Sequence, residues 1–175
     1  MSIYMIGCLH LSHESMAKHR GFNNSEEHDN YLTSQWNSVV KSKKDIVYIL
    51  GDLTMEKAAP YYKLDHLNGI KHVVLGNHDR RQDITKLLGY VQSVSGVIDY
   101  KGCMLSHVPI HPNEACFYRK NIHAHIHHIN QLEECVVYSS YTDNEIIVRT
   151  ENKYFNVDAK LLDFKPILFE DIINS

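Results

Sequence analysis

Short apolar runs that end abruptly in polar clusters organise the first half of the chain. Ile3 to Gly7 is the first run and reads as a buried strand. A polar stretch from about His10 to Asn24 follows as a loop. Asn24 and Glu27 then form a helix-opening signature of the capping-box kind, with asparagine in place of serine or threonine. Leu32, Trp36, Val39 and Val40 recur at helical spacing, which predicts a helix near 25–41. Ile46 to Leu50 is a second buried strand and runs straight into Gly51-Asp52. The segment 56–68 predicts a helix that closes at Asn68-Gly69. Val73-Val74-Leu75 is a third strand, leading into Gly76-Asn77-His78-Asp79, and a short helix is expected over 82–88.

This alternation implies a parallel sheet with crossover helices. In such sheets ligands collect beyond the carboxyl ends of the strands, where the three polar clusters fall. The second half reads differently. Val91–Tyr100 and Cys103–Ser106 suggest a hairpin about Lys101-Gly102. Asn121–His125 suggests a strand. Residues 135–139, 145–150 and 153–159 suggest antiparallel strands, with turns at Thr142-Asp143-Asn144 and Glu151-Asn152. Lys165-Pro166 leads into a short terminal helix near 168–173. No repeat or linker interrupts the 175 residues, a length that suits a single domain over 1–175.

Composition narrows the function classes. The chain is 43% apolar and 22% charged with a net charge of −3, so nothing basic argues for an extended nucleic-acid surface or a membrane surface. No apolar stretch approaches the roughly 20 residues that span a bilayer. The first residues carry no basic segment of the signal-peptide kind. The four cysteines, Cys8, Cys103, Cys116 and Cys135, form no C-x-x-C pair and are expected as reduced thiols of a cytoplasmic protein. Thirteen histidines raise the expectation of a metal site, because imidazole is the commonest ligand.

The clusters that carry chemistry are Cys8-Leu9-His10, Gly51-Asp52, Gly76-Asn77-His78-Asp79 and Ala124-His125-Ile126-His127, with Ser106-His107 a weaker fifth. Each follows an apolar run and can be held on a rigid strand end. Two divalent ions about 3.5–4 Å apart need a bridging carboxylate and mixed oxygen and nitrogen ligands. Asp52 can bridge, Asn77 offers an amide oxygen, and His10, His107, His125 and His127 offer imidazoles.

Taken in order, these elements resemble the calcineurin-like metallophosphoesterase family, whose pattern is D-x-H, G-D, G-N-H-[DE], H, then G-H-x-H. The resemblance covers essentially the whole chain and is nearest to compact bacterial and phage members, with Trp36-Asn37-Ser38-Val39-Val40, Tyr154-Phe155-Asn156-Val157-Asp158 and Lys165-Pro166-Ile167 as further points of likeness. It implies an α/β fold, a four-layer α/β/β/α sandwich with mixed sheets. One metal would lie with Cys8, His10, Asp52 and His127, the other with Asp52, Asn77, His107 and His125. His78 would face the substrate phosphate as general acid or charge stabiliser, oriented by Asp79. A hydroxide bridging two divalent ions (Mn, Fe, Zn or Ni) would attack phosphorus directly, without a covalent intermediate. The substrate would be a phosphate mono- or diester, nucleotide-like or another small phosphorylated molecule.

Two positions depart from the pattern. Cys8 stands where the family has aspartate; it is either a soft ligand favouring Zn²⁺ or Fe, or a small buried hydrophobe beside a weakened site. Ala124 stands where glycine is usual and would be strained at positive φ. His13 and Arg80 are candidates to touch substrate phosphate, against plain readings as a solvated loop histidine and a charged helix entry. His111, His123 and His128 are expected to pack or face solvent, with His123 sharing a face with His125 and His127 if 121–127 is extended. Trp36, Tyr61 and Tyr62 are expected in the core. The rival to catalysis is a family member that has lost efficient chemistry and serves as a protein-interaction scaffold, a possibility raised by Cys8.

Overall fold

The structure is a computed structural model that describes residues 1–56, 60–79, 83–128 and 152–175, with the backbone of two further strands at 134–138 and 145–149. Its elements run in the order β1 (Ile3–Ile6), α1 (Glu14–His19), α2 (Ser25–Val39), β2 (Ile46–Leu50), a 3₁₀ turn (Tyr61–His66), β3 (Ile70–Val74), α3 (Ile84–Leu87) and β4 (Ser93–Ser95). Then come β5 (Ile98–Tyr100), β6 (Cys103–Leu105), α4 (Pro112–Ala115), β7 (Asn121–His123), β8 (Glu134–Tyr138), β9 (Glu145–Arg149), β10 (Tyr154–Asn156), β11 (Ile167–Leu168) and α5 (Phe169–Asn174).

The first sheet has the order β11-β1-β2-β3-β4, the second β10-β7-β6-β5. β1 to β4 are parallel, with β11 antiparallel at the edge. β6, β7 and β10 are parallel, with β5 antiparallel. This is the expected fold class, two mixed sheets with helices. Alternate residues of each buried strand serve different layers. Val47 and Ile49 of β2 join Leu32 and Trp36 of α2 in one apolar cluster. Leu50 turns the other way and meets Leu105, Ile122 and Phe169 between the sheets. The outward face of the second sheet carries Asn121, whose Oδ1 accepts the Ile110 N–H at 2.9 Å. The segment holding α4 therefore lies over it, and the Tyr154 hydroxyl donates to the Ile110 carbonyl at 2.8 Å.

Several elements differ from the sequence expectation for local reasons. The 10–24 loop contains α1. The 56–68 helix is only a 3₁₀ turn after Pro60, and Tyr61, Leu64 and Leu67 are buried at the spacing of three that such a turn requires. The 82–88 helix shortens to four residues, capped by Asp83. The 91–100 strand breaks at Gly96-Val97, sending β4 to the first sheet and β5 to the second. β10 pairs with β7 in parallel, not antiparallel. β8 and β9 form an antiparallel pair as expected; the turn at 142–144 lies outside the described residues. Asn24 caps α2 as expected, accepting from the Glu27 N–H at 2.8 Å. Trp36 and Tyr61 are buried, but Tyr62 is 58% exposed, because the 3₁₀ turn presents only one of two adjacent residues inward.

The sheets are stitched where β1 ends. Gly7 N–H donates to the Val157 carbonyl at 2.8 Å, and Ala159 N–H donates to the Gly7 carbonyl at 2.9 Å. A Cβ at position 7 would collide with the Ala124 methyl and the Leu50 carbonyl. Ala124 itself avoids positive φ, which falls instead on His125 (φ 68). Alanine is thus unstrained at 124, and the space for its methyl exists because residue 7 is glycine. Gly7→Ala should destabilise the fold by about 1–3 kcal/mol through overpacking. Adding Ala124→Gly should recover only part of that loss, since the Leu50 carbonyl remains in the way. Urea unfolding of the two single variants and the double variant measures both effects.

Candidate metal centre

Six parallel strands deliver their carboxyl ends to one rim. β1 leads to Cys8 and His10, β2 to Asp52, β3 to Asn77 and His78, β6 to His107, β7 to His125 and His127, and β10 to Asp158. The loops are laced together by backbone hydrogen bonds: Cys8 N–H to the Gly51 carbonyl (2.9 Å), His10 N–H to the Asp52 carbonyl (2.9 Å) and Leu11 N–H to the Leu53 carbonyl (2.8 Å). Gly76 lets the third loop press against the second, since a Cβ there would strike the Asp52 carboxylate and backbone.

The expected ligands converge. One nitrogen each of His10 and His127 and the Cys8 sulfur lie within 4.8 Å of one another, as do the Cys8 sulfur, an Asp52 oxygen and a His107 nitrogen. His107 Nε2 is 3.0 Å from Asn77 Oδ1 and 3.3 Å from Asp52 Oδ2. The His107 and His125 rings are 5.0 Å apart, and the His10 and His127 rings 5.5 Å apart. Cys8, His10 and Asp52 form the buried floor. His78, a third exposed, and His127 border the opening.

The hydrogen bonding fits a cation. Both ring nitrogens of His10 and the Asp52 Oδ2 are buried without a hydrogen-bond partner. Such groups cost stability unless something satisfies them. Burial, assisted by the Arg20 charge, pushes the protonation of His10 down to about 2, which keeps its lone pair free. Burial opposes ionisation of Asp52, but the His107 ring and the His78 N–H outweigh it and hold the carboxyl down to about 2. His107 is fixed by an Nδ1 contact of 2.9 Å to the Leu50 carbonyl, an acceptor, so Nδ1 carries the proton. Its Nε2 then meets two oxygen acceptors, and only a proton or a metal ion can sit between them. Burial lowers proton affinity at His107, yet the Asp52 carboxylate reverses this and raises it, a proton standing in where a cation would lie. Mixed carboxylate, amide and imidazole donors suit divalent transition metals. Cys8 accepts the His125 N–H at 3.2 Å. Burial, with the nearby Asp158 and Asp52 charges, pushes its thiol well up, so an anionic sulfur there needs a positive partner.

Some expected site residues stand elsewhere. Asp79 makes no hydrogen bond to the His78 ring among the described residues. Its carboxylate instead accepts the N–H groups of Asp52 (2.7 Å), Gly76 (2.8 Å) and Leu53 (3.0 Å), clamping two loops together. His13 opens α1, with its ring 6.0 Å from His10 and Nδ1 3.7 Å from Glu56 Oε1. Arg80 lies outside the described residues. β7 stops at His123, so the 121–127 face does not exist. His123 is buried under the site with Nδ1 2.8 Å from the Ala124 carbonyl, and burial lowers its protonation to about 4. His111 caps α4, and His128 is exposed.

Two residues were missed as parts of the site. Asp158 Oδ2 lies 2.7 Å from His127 Nδ1, which fixes the proton there and frees Nε2 for a ligand. Arg20, with a side chain only 1% exposed, donates to the carbonyls of Cys8 (2.8 Å) and Leu9 (3.3 Å) and lies 3.7 Å from Asp158 Oδ2. The sequence signal for Asp158 was its place in the Tyr154–Asp158 tail; Arg20 carried none. Asp158→Asn should weaken divalent-metal affinity by about 10–100-fold, as loss of a ligand-orienting partner does. Calorimetric titration of metal-free protein measures this, and unchanged affinity would separate Asp158 from the centre.

Comparison with known proteins agrees with this geometry. The calcineurin-like phosphoesterase pattern matches residues 1–161. The uncharacterized protein MJ1445 of Methanocaldococcus jannaschii is 32% identical over 178 residues, covering 98% of this chain and 89% of its own length. The gene 66 protein of Mycobacterium phage D29 is 33% identical over 85 residues, 45% of this chain and 41% of its own. The crystal structure of a protein of unknown function from Aquifex aeolicus, AQ665, shares the fold with a TM-score of 0.70 at 22% identity, over 99% of this chain and 98% of that one. Since the matched region runs from the first strand past Asp158, the chain belongs to the calcineurin-like phosphoesterase family, whose members are generally metal-dependent phosphoester hydrolases.

Proposed function

We propose that this protein hydrolyses phosphate mono- or diesters of small, nucleotide-like molecules at a two-cation centre. The observation that carries the proposal is the buried convergence of both His10 ring nitrogens and the Asp52 Oδ2, none with a hydrogen-bond partner, beside the His107 Nε2, which lies 3.3 Å from that oxygen. On this reading Cys8, His10, Asp52 and His127 hold one divalent ion, and Asp52, Asn77, His107 and His125 hold the other. Bound divalent ions there would neutralise phosphate oxygens and activate a water molecule.

The protein's own contribution is placement and proton transfer. Asp52 is fixed by the His78 N–H on Oδ1 (3.0 Å), which leaves Oδ2 to face the centre. His78 has its Nε2 3.8 Å from Asp52 Oδ2 and a third of its side chain open to solvent. It is the group best placed to hydrogen-bond a phosphate oxygen and to give its Nε2 proton to the leaving oxygen. Asp79 is a positioning residue, because it locks the Asp52 and Asn77 loops. His13 borders the same opening and is proposed, with Arg80, to meet substrate. The absence of a basic excess in the sequence favours a small phosphorylated substrate over extended nucleic acid. The reduced-thiol reading of the cysteines favours a cytoplasmic location; among the described residues no helix is long and apolar enough to cross a membrane.

A scaffold role is the second reading, favoured only by Cys8. It gives no reason for buried, unpartnered ligand atoms, which cost stability. Bis-p-nitrophenyl phosphate or p-nitrophenyl phosphate should turn over when Mn²⁺ or another transition metal is supplied. His78→Ala should lower kcat by about 10²-fold or more, as expected for loss of a general acid. Full turnover in that variant would remove His78 from the chemistry, and no turnover with any metal would favour the scaffold.

A further inference from the structure

We propose that Cys8 coordinates as a thiolate, so that the Cys8 side of the centre selects a thiophilic transition metal such as Zn²⁺ or Fe²⁺ over Mg²⁺. This rests on the two-cation reading above. The argument is chemical. The Cys8 side offers one sulfur, two imidazole nitrogens and the shared Asp52 carboxylate. The Asn77 side offers an amide oxygen, two imidazoles and the same carboxylate. Thiolate and imidazole select Zn²⁺ or Fe²⁺, whereas Mg²⁺ demands near-octahedral oxygen ligands.

Three observations separate Cys8 from an inert buried thiol. Its sulfur lies within 4.8 Å of ligand atoms of both His10 and His127, and likewise of Asp52 and His107. Cys8 packs into the apolar cluster that includes Leu50 and Ala124, yet its sulfur also reaches these polar ligand atoms. It accepts a backbone hydrogen bond from His125, of the kind that stabilises a coordinated thiolate. Beside it, the His10 ring is fully buried with neither nitrogen partnered. Reach is not an obstacle. Sulfur sits one bond nearer the backbone than a carboxylate oxygen, but metal–sulfur bonds are longer, about 2.3 Å against about 2.0–2.2 Å. The left-handed backbone at Cys8 (φ 55) and the Arg20 bond to its carbonyl fix the direction of the side chain.

Cobalt makes the proposal visible, because a thiolate bound to Co²⁺ gives a near-ultraviolet charge-transfer absorption that oxygen and nitrogen ligands do not. Metal-free wild-type protein titrated with Co²⁺ should develop this band and complete it at one ion per chain, while a second ion binds without adding to it. Zn²⁺ should bleach the band and Mg²⁺ should not. Cys8→Asp should lose the band yet still bind two ions, and should bind Mn²⁺ more tightly relative to Zn²⁺ than wild type does. Two bound ions with no band in wild type would overturn the proposal. So would a band that survives in Cys8→Asp, which would trace it to another cysteine. The wild-type spectrum decides the matter even if the variant does not fold. A wild-type band without turnover under any metal loading would sink the hydrolase reading and leave the thiophilic site standing.

Discussion

The centre depends on holding lone pairs against one another in a buried volume with too few protons to satisfy them. That arrangement is unfavourable for the protein alone, so the loops must be forced into it. Cys8, His10, Ser12, Asp52 and His125 all adopt left-handed backbone, φ 52 to 68, without being glycine. Each such residue costs roughly 1–3 kcal/mol and persists only where its surroundings over-determine it. The surroundings here are the ladder from Cys8, His10 and Leu11 to the second loop, and the three N–H groups converging on the Asp79 carboxylate. Asp79 acts by fixing backbone. That role accounts for its full burial better than a contact with the partly exposed His78 would.

Behind the ligands lies a second set of charges that runs away from the opening. His127 is oriented by Asp158, Asp158 faces Arg20, and Arg20 Nη1 lies 3.0 Å from His28 Nε2. Arginine can only donate, so His28 accepts at Nε2 and donates through Nδ1 to Asp29 Oδ1 at 2.9 Å. Asp29 Oδ2 in turn meets Lys63 Nζ at 2.6 Å and the Ser12 N–H at 2.9 Å. Asp158, Arg20, Asp29 and Lys63 alternate in sign, with the neutral His28 ring linking Arg20 to Asp29, so none of these four charges is left without a partner. The same chain of contacts also fixes both ends of the first loop, through the carbonyl of Cys8 and the N–H of Ser12, so the strained segment is held at its start and its finish.

The convergence of Cys8, His10, Asp52, His107 and His127 was legible in the sequence because each element is a short contiguous cluster on the end of an apolar run, and β1, β2 and β3 were equally plain. What escaped reading has physical causes. Arg20 and Asp158 meet across 138 positions, and neither belongs to a periodic pattern. Arg20 looked like any polar loop residue, since burial of a guanidinium depends on partners that only the fold brings near. The 91–100 strand was misread because β4 and β5 have the same alternating pattern yet join different sheets, and pattern alone does not name the sheet. The pattern does not give the direction of β10 for a similar reason: direction is set by the bridge from Gly7 to Asp158, a contact between opposite ends of the chain. Ala124 looked like a source of strain until its neighbour at 125 was seen to carry the positive φ.

The electrostatics give the two-cation reading a consequence for substrate binding. The whole chain is net negative, and the rim gathers Asp52, Asp79 and Asp158 within a few loops. Among the described residues Arg20 is a buried cation beside them, and it faces Asp158 and the loop carbonyls rather than the opening. A phosphate approaching that rim in the absence of metal meets carboxylates at close range in a poorly solvated volume, where like charges repel strongly. Two divalent ions would invert the sign of the field. On the two-cation reading, substrate affinity would then depend on the ions as much as on side chains such as His78. The strained loops would serve that end, because they hold the His10 nitrogens and the Asp52 carboxylate free of protons, and bound cations there would make the site attractive to phosphate.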